Sequence, residues 1–350
     1  MNKATTVGFR KGANTALVTA LAIALLVIFL APFLFMVFTS MKNQTQIATV
    51  GSPIWPAVSP KFEYNGKSLD IFTVPLPDGT TKELALLKKG QKESVFIDPR
   101  NPEAGEIAWQ GSWRNLDRPW KFSFESAVEN YREVITTINF PRLLWNTTFY
   151  ALMTEIGTLI SCVLVAFGFA RFRFPGREFL FIMLISTLFL PGAVTIIPTY
   201  TFFQRIGWVG TWLPLIVPAF FANAYDVFLL RQYFLTLPRE LDEAAMIDGA
   251  SPLRVLWSVI IPQSYPALMA ITVFHIVWAW NDYFGPLIYL STKPELQPIS
   301  VALSRFNGIY GSRPQLIQAG ALMALIAPLI LFALAQRFFV QGIVVTGVEK

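Results

Sequence analysis

The chain has 350 residues and a net charge of +6, with 54% hydrophobic but only 14% charged residues. Soluble domains carry about 25% charged residues. With 31 Phe and a mean hydropathy of +0.49, the composition excludes an ordinary soluble domain and points to lipid as the main solvent. One cysteine, Cys162, and one histidine, His275, rule out a disulfide framework and a His-x-x-x-His zinc motif, and argue against a Ser-His-Asp triad. No Gly-x-x-x-x-Gly-Lys-Ser/Thr occurs, so the chain by itself is not expected to bind ATP through a P-loop. No cofactor and no metal are expected. The basic excess reads as cytoplasmic loops of a membrane protein rather than a nucleic-acid surface.

Residues 1–41 hold a polar start with Lys3, Arg10 and Lys11, then the uncharged run Leu17–Phe38. That run is long enough for a bilayer core of about 30 Å. It is too long for a signal-peptide core and is followed by no small-x-small site, so it reads as a retained first membrane helix. Residues 42–142 have ordinary soluble composition and 13 of the 28 basic residues. Alternating runs at Ser68–Val74, Leu84–Leu87 and Glu93–Ile97, with turn chemistry at Pro77-Asp78-Gly79-Thr80, predict strands. Trp109, Trp113 and Trp120 follow among Gly and Asn, then a helix is expected near Phe124–Thr137. The segment reads as a small β-rich extracytoplasmic module, with a partly ordered loop as the alternative.

Residues 143–350 carry five more apolar runs: Leu144–Phe169, Phe179–Phe203, Trp212–Leu230, Tyr265–Leu290 and Leu316–Leu334. Pro191 and Pro198 predict a kink in the second of them. The fold class is thus an all-α polytopic membrane protein of six spans, with the β-rich module between the first two. Short segments on one side hold eleven basic residues: Lys3, Arg10, Lys11, Arg171, Arg173, Arg177, Arg231, Arg239, Arg254, Arg337 and Lys350. The other side's short loops hold four, Arg205, Lys293, Arg305 and Arg313. This asymmetry places both termini inside.

The polar segment Leu237–Pro262 interrupts the apolar runs. Pro238 suits a helix's first turn, and Glu240, Asp242 and Glu243 suit the positive end of its dipole. Ala244 and Ala245 allow close approach of another surface. Gly249, after Asp248, can take a positive φ and stop the helix. Ser251 and Pro252 start a second helix over Arg254–Ile261, ended by Pro262 and Pro266. A compact helical hairpin is expected, tied to two spans.

The pattern Glu243-Ala-Ala-x-x-x-Gly249, nine residues, then Val259-x-Ile261-Pro262 resembles the EAA loop of binding-protein-dependent ABC importer permeases. Further stretches resemble the smaller membrane subunit of the maltose-type carbohydrate permease family. They are Asn146-Thr147; Ala170-Arg-Phe-Arg-Phe-Pro-Gly-Arg177; Leu190-Pro-Gly with Ile197-Pro198 and Gly207-x-x-Gly-Thr; Trp280-Asn281-Asp282-Tyr283; and Gln336-Arg337-Phe-Phe-Val-Gln-Gly342. Glu129-Asn-Tyr-Arg-Glu133 is similar to the family's stretch before the second span. The resemblance covers about residues 10–45 and 123–350; the roughly 75 residues between have no counterpart in it.

The resemblance implies a non-catalytic transport subunit in a prokaryotic inner membrane. Its partners would be a second homologous permease, a dimeric cytoplasmic ATPase and an extracytoplasmic solute-binding protein, its substrate a sugar or oligosaccharide. Coupling to the ATPase would fall to Glu243, Ala244, Ala245, Asp248, Gly249, Pro262 and Arg337. Arg337 reads alternatively as a side chain reaching for lipid headgroups. Polar groups at membrane depth are functional candidates: Glu155, Asn223, Asp226, Asn281 and Asp282. Trp278, Trp280, Tyr283 and Tyr200 offer rings for stacking a sugar, or serve as interfacial anchors. His275 reads as a packed residue rather than a proton relay. An ion-driven secondary transporter would call for internal repeats, and none is evident. An ABC permease for a non-sugar solute stays open.

Overall fold

The computed structural model describes residues 3–76, 79–308 and 311–344, with side chains of residues 14–76, 79–308 and 311–336. The chain divides into two compact units, residues 1–134 with 306–322, and residues 135–305 with 323–350.

The first unit begins with helix α1 (Lys3–Ser40), whose apolar stretch Asn14–Ser40 exposes its side chains along nearly its whole length. At about 1.5 Å per residue that stretch exceeds the bilayer core. Then comes an antiparallel meander of β1 (Lys61–Tyr64), β2 (Lys67–Pro75), β3 (Thr81–Lys88), β4 (Glu93–Ile97) and β5 (Ile107–Gln110), paired in chain order. Asn65 and Gly66 both have positive φ, 49° and 72°. That is the two-residue turn whose twist matches the strands it joins, and it adds β1, a strand the alternating runs did not reveal. Between β2 and β3 Leu76 N–H donates to Thr80 and Gly79 N–H to Leu76, so the expected turn closes, although Pro77 and Asp78 lie outside the described residues.

The β2–β3 register, Phe72 opposite Leu84 and Ile71 opposite Ala85, sorts side chains by the period of two. Phe72, Val74, Leu84, Leu86 and Phe96 pack with Trp109, Trp113 and Leu116. On the opposite face Leu69, Ile71, Ala85 and Ile97 pack with Phe62, Tyr64 and Leu87. Trp109, expected in an irregular stretch, lies on β5 and donates its indole N–H to Pro75 O at 3.1 Å. Helix α2 (Glu125–Thr137) follows, and Asn130 there donates to the carbonyls of Ser40 and Lys42 at 2.8 Å each, closing the end of α1.

The second unit is built on α3 (Phe140–Arg171), 32 residues long. Helices α4 (Arg177–Ser186) and α5 (Gly192–Arg205) follow, joined by a short 3₁₀ turn and a bend of 98°. The expected kink in this run is thus a full break. Pro191 forces Leu190 out of helical geometry, to φ −80° and ψ 113°, and Pro191 itself is extended, at ψ 129°.

The next span also breaks in its middle. Leu213–Ile216 is helical, Val217–Phe220 tightens to 3₁₀, and α6 (Ala224–Thr236) starts afresh. The hairpin comprises α7 (Arg239–Ile247) and α8 (Pro252–Gln263); the latter meets α9 (Tyr265–Asn281) at an 80° bend. As expected, α8 ends between Pro262 and Pro266. Pro262 sits inside the last turn of α8, beyond a π turn at Leu256–Ile260, and the break falls at Ser264. Helix α10 (Phe284–Tyr289) follows a break at Asp282. Helix α11 (Pro314–Val344) ends the described chain. Among the described residues four helices and two bent pairs have the length and apolarity of membrane spans.

One core joins the hairpin to the spans. Cys162, Val163, Ala166, Phe167 and Ala170 of α3 pack with Val227, Leu230 and Phe234 of α6, Val255, Leu256 and Ile260 of α8, and Ile271 of α9. At its edge Arg171 ends α3 and Asp242 lies one turn into α7. The Arg171 Nε sits 2.8 Å from an Asp242 oxygen, with both side chains under 10% exposed, and Arg171 also donates to Leu237 O at 3.1 Å.

Burial pushes the Asp242 carboxyl above the ordinary aspartate range, against the opposing pull of Arg171. Arg171→Ala leaves that buried carboxyl without its ion-pair partner, which costs about 3–5 kcal/mol when it stays charged. A raised folded-state pKa means the folded protein holds the proton longer, so this group's contribution to stability falls as pH rises above the unfolded value of about 3.9. The variant is therefore expected to melt well below the native chain near about pH 7.5 and to recover much of the gap near about pH 5. Thermal unfolding in detergent measures this; a deficit independent of pH would show that the pair acts through packing alone.

Candidate functional site: a helical hairpin and a cavity at broken helices

The hairpin follows its local chemistry closely. Gly249 has φ +83°. The Ala250 N–H donates to Ala245 O at 2.9 Å and the Gly249 N–H to Met246 O at 3.0 Å. This is the Schellman closure, which needs a left-handed residue at the glycine position. Ser251 accepts from the Arg254 N–H and opens α8. Pro238 differs slightly from expectation, standing just before the first helical residue with ψ 132°.

The two faces of the hairpin have opposite fates. Asp242, Val255, Leu256 and Ile260 are buried against the spans. Glu243, Ala244, Asp248, Gly249 and Pro262 are exposed, and Ala245 is half-buried. Around them Leu241, Met246, Ile247, Leu253 and Trp257 are also exposed, Ile247 at 86%. The side chain of Arg337 lies outside the described residues.

A second feature lies at the break before α6. A cavity of about 600 Å³ is lined by Thr154 and Thr158 of α3, Asn223, Tyr225 and Asp226 at the start of α6, and Phe274, His275 and Trp278 of α9, with Leu215, Pro218, Ala219 and Phe221 completing it. Helix α3 is shaped to receive the broken chain. A Cβ on Gly157 would meet Phe220 at 2.8 Å and the Ala219 carbonyl carbon at 3.0 Å, so only glycine allows this approach. Ser161 donates to the freed Ala219 carbonyl at 3.2 Å, and the Cys162 thiol lies 3.9 Å from Asn223 O. Backbone groups freed at membrane depth need such partners. Asn223 and Asp226 cap one another: the Asp226 N–H donates to Asn223 Oδ1 at 2.9 Å, and Asn223 Nδ2 donates to Asp226 Oδ2 at 2.7 Å.

The residues singled out from the sequence separate here. Trp278, Asn223, Asp226 and His275 come together around the cavity. Glu155 is buried in α3, 4% exposed, and is not among the cavity's lining residues. Asp282 instead accepts from the Tyr150 hydroxyl at 2.7 Å and from the Gly285 N–H, so it ties α3 to α10 across the helix break. Asn281 is exposed and donates to Val277 O within its own helix, and Trp280 donates to Ala324 O of α11. Tyr283 packs edge-on against Phe284, and Tyr200 stacks on Tyr289. The sequence reading missed Ser161 and the pairing of Arg171 with Asp242. The visible signal was a hydroxyl, a thiol and a small residue on one apolar helix, which without a fold reads as ordinary helix packing.

Comparison with known proteins bears on these features. Residues 158–345 match the family described as binding-protein-dependent transport system inner membrane component. The osmoprotective compounds uptake permease protein GgtD of Synechocystis sp. is 31% identical over 257 residues, covering 73% of this chain and 86% of that protein. The sn-glycerol-3-phosphate transport system permease protein UgpE of Brucella melitensis is 36% identical over 228 residues, covering 63% and 80%. The crystal structure of a bacterial ABC transporter involved in the import of the acidic polysaccharide alginate contains a chain that matches with a TM-score of 0.65 at 20% identity, covering 94% of this chain and 98% of that one. The chain belongs to the binding-protein-dependent transport system inner membrane components: it is an inner-membrane permease subunit of an ABC importer.

Proposed function

We propose that this subunit forms one half of a solute path for a sugar or oligosaccharide, and that α7 and α8 transmit the closure of a separate dimeric ATPase to the spans. The observation that carries the coupling role is the hairpin's division into two faces. Leu241, Met246, Ile247, Leu253 and Trp257 leave apolar side chains exposed on the hairpin, and exposed apolar surface of this kind marks a partner surface. The opposite face is locked into α3, α6 and α9. A force on the outer face therefore moves helices and not a loose loop. In this reading Glu243, Ala244, Ala245, Asp248, Gly249 and Pro262 meet the ATPase, joined by the tail at Arg337. The chain crosses the membrane six times with both termini inside, in the divisions 1–41, 42–142 and 143–350. The sheet unit is extracytoplasmic and faces the solute-binding protein.

The cavity supports the choice of solute. Discontinuous helices at membrane depth mark transport sites. Here the break brings hydroxyl-matching groups, Thr154, Thr158, Asn223 and Asp226, beside aromatic rings, Phe274 and Trp278. UgpE is by name a permease for a phosphate ester. Among the described residues no Lys or Arg lines this cavity, and Asp226 would repel a phosphate, so an uncharged polyol fits better. The cavity is completed by the second permease. Tyr200, Asn281, Asp282 and Tyr283 hold the surrounding helices, while Trp278 belongs to the path itself. ATP hydrolysis takes place on the partner subunit.

Gentle solubilisation of membranes is expected to yield this chain together with a second permease and an ATPase; isolation as a lone protein with ion-coupled uptake would refute the reading. In the assembly, Gly249→Arg places a bulky cation where φ is +83°. Uptake in vesicles is expected to fall to background while the chain stays inserted, and normal uptake would remove the hairpin from the coupling route. Trp278→Ala is expected to raise the solute concentration for half-maximal uptake about ten-fold, the size of a lost stacking contact. An unchanged value would take Trp278 out of the path.

A further inference from the structure

A second cavity, of about 470 Å³, lies where the loop before α4 meets the start of α7. Arg173, Phe174, Arg177, Glu178, Phe179 and Arg239 line it. Its one carboxylate is already engaged: Arg177 donates to Glu178 at 2.6 and 3.0 Å, and Arg231 lies 3.8 Å from the same oxygen. Asp242, the other carboxylate near Arg239, is taken by Arg171. Among the described residues Arg173 and Arg239 make no ion pair. Two cations thus face the groove without a direct ion pair of their own, and arginine forks match phosphate oxygens.

The groove also has an apolar side. Beyond it α4 presents Phe179, Ile182 and Met183, 69%, 64% and 54% exposed, and α4 opens a stretch apolar enough to lie in the membrane. A free anion would use only the arginines. A molecule with a phosphate at one end and acyl chains at the other would use both, at the depth where headgroups and chains meet. We propose that this groove binds the headgroup of an anionic phospholipid, with Arg173 and Arg239 gripping the phosphate and the exposed face of α4 carrying the chains. The site rests on the reading that the hairpin lies on the cytoplasmic side, where basic pockets at span ends recruit anionic lipid.

Native mass spectrometry of the detergent-extracted assembly tests it. After delipidation, phosphatidylglycerol is expected to bind the native assembly about ten-fold more tightly than phosphatidylcholine. Arg173→Ala/Arg239→Ala is expected to abolish that preference, and Arg173→Lys/Arg239→Lys to keep part of it. Equal lipid retention by native and double-alanine assemblies would overturn the site. Displacement of the lipid by millimolar inorganic phosphate would overturn its assignment to lipid. Loss of the ATPase from the double-alanine assembly with an unchanged lipid count would show that the arginines dock the ATPase, and would likewise overturn it. Failure of the native chain to co-purify with any ATPase counts against the importer assembly and is read separately from the lipid count.

Discussion

The buried pair between Arg171 and Asp242 fixes what the hairpin can do. A helix of nine residues such as α7 is too short to hold its own shape in water. It becomes rigid because Asp242 is fastened to the end of α3 and because α8 places Val255, Leu256 and Ile260 in the core of the spans. The π turn at Leu256–Ile260 and the 80° bend at Ser264 then redirect the chain into α9. The exposed face is left uncovered, and the buried face is packed into α3, α6 and α9.

A second constraint runs through the membrane half of the molecule. Every peptide group there must find a partner, yet the chain leaves helical geometry near Pro191, Phe221 and Asp282. At Phe221 the freed carbonyls are met from α3 by Ser161 and Cys162, and Gly157 removes the bulk that would keep them apart. At Asp282 the side chain caps α10 and is itself held by Tyr150. The break at Phe221 opens a cavity and the break at Asp282 locks two helices. This difference explains why polar residues that look alike in sequence take different roles.

The sheet unit depends on a different balance. Strands β2, β3 and β4 bury apolar side chains on both faces, so the register has two cores to satisfy. A slip by one residue would exchange Phe72 and Val74 with Ile71 and Thr73. The Asn65-Gly66 turn and the closure between Leu76 and Thr80 hold that register locally.

The sequence by itself determined whatever is decided within a few residues or by length and polarity. Legible in it were the apolar runs, strands near 68–74, 84–87 and 93–97, the cap at Ser251, the left-handed stop at Gly249, and the class of membrane protein. These follow from backbone sterics, capping and transfer to lipid, which act locally. Tertiary structure alone decided which polar residues meet. Asp242 read as a dipole partner and Asp282 as a solute contact, because each also satisfies the local rule for that role. The side chains that hold them, Arg171 and Tyr150, lie 71 and 132 residues away. No local pattern encodes a contact that exists only once the spans have packed. For the same reason the cavity beside Trp278 was visible only as scattered polar and aromatic residues until α3, α6 and α9 brought them to one place.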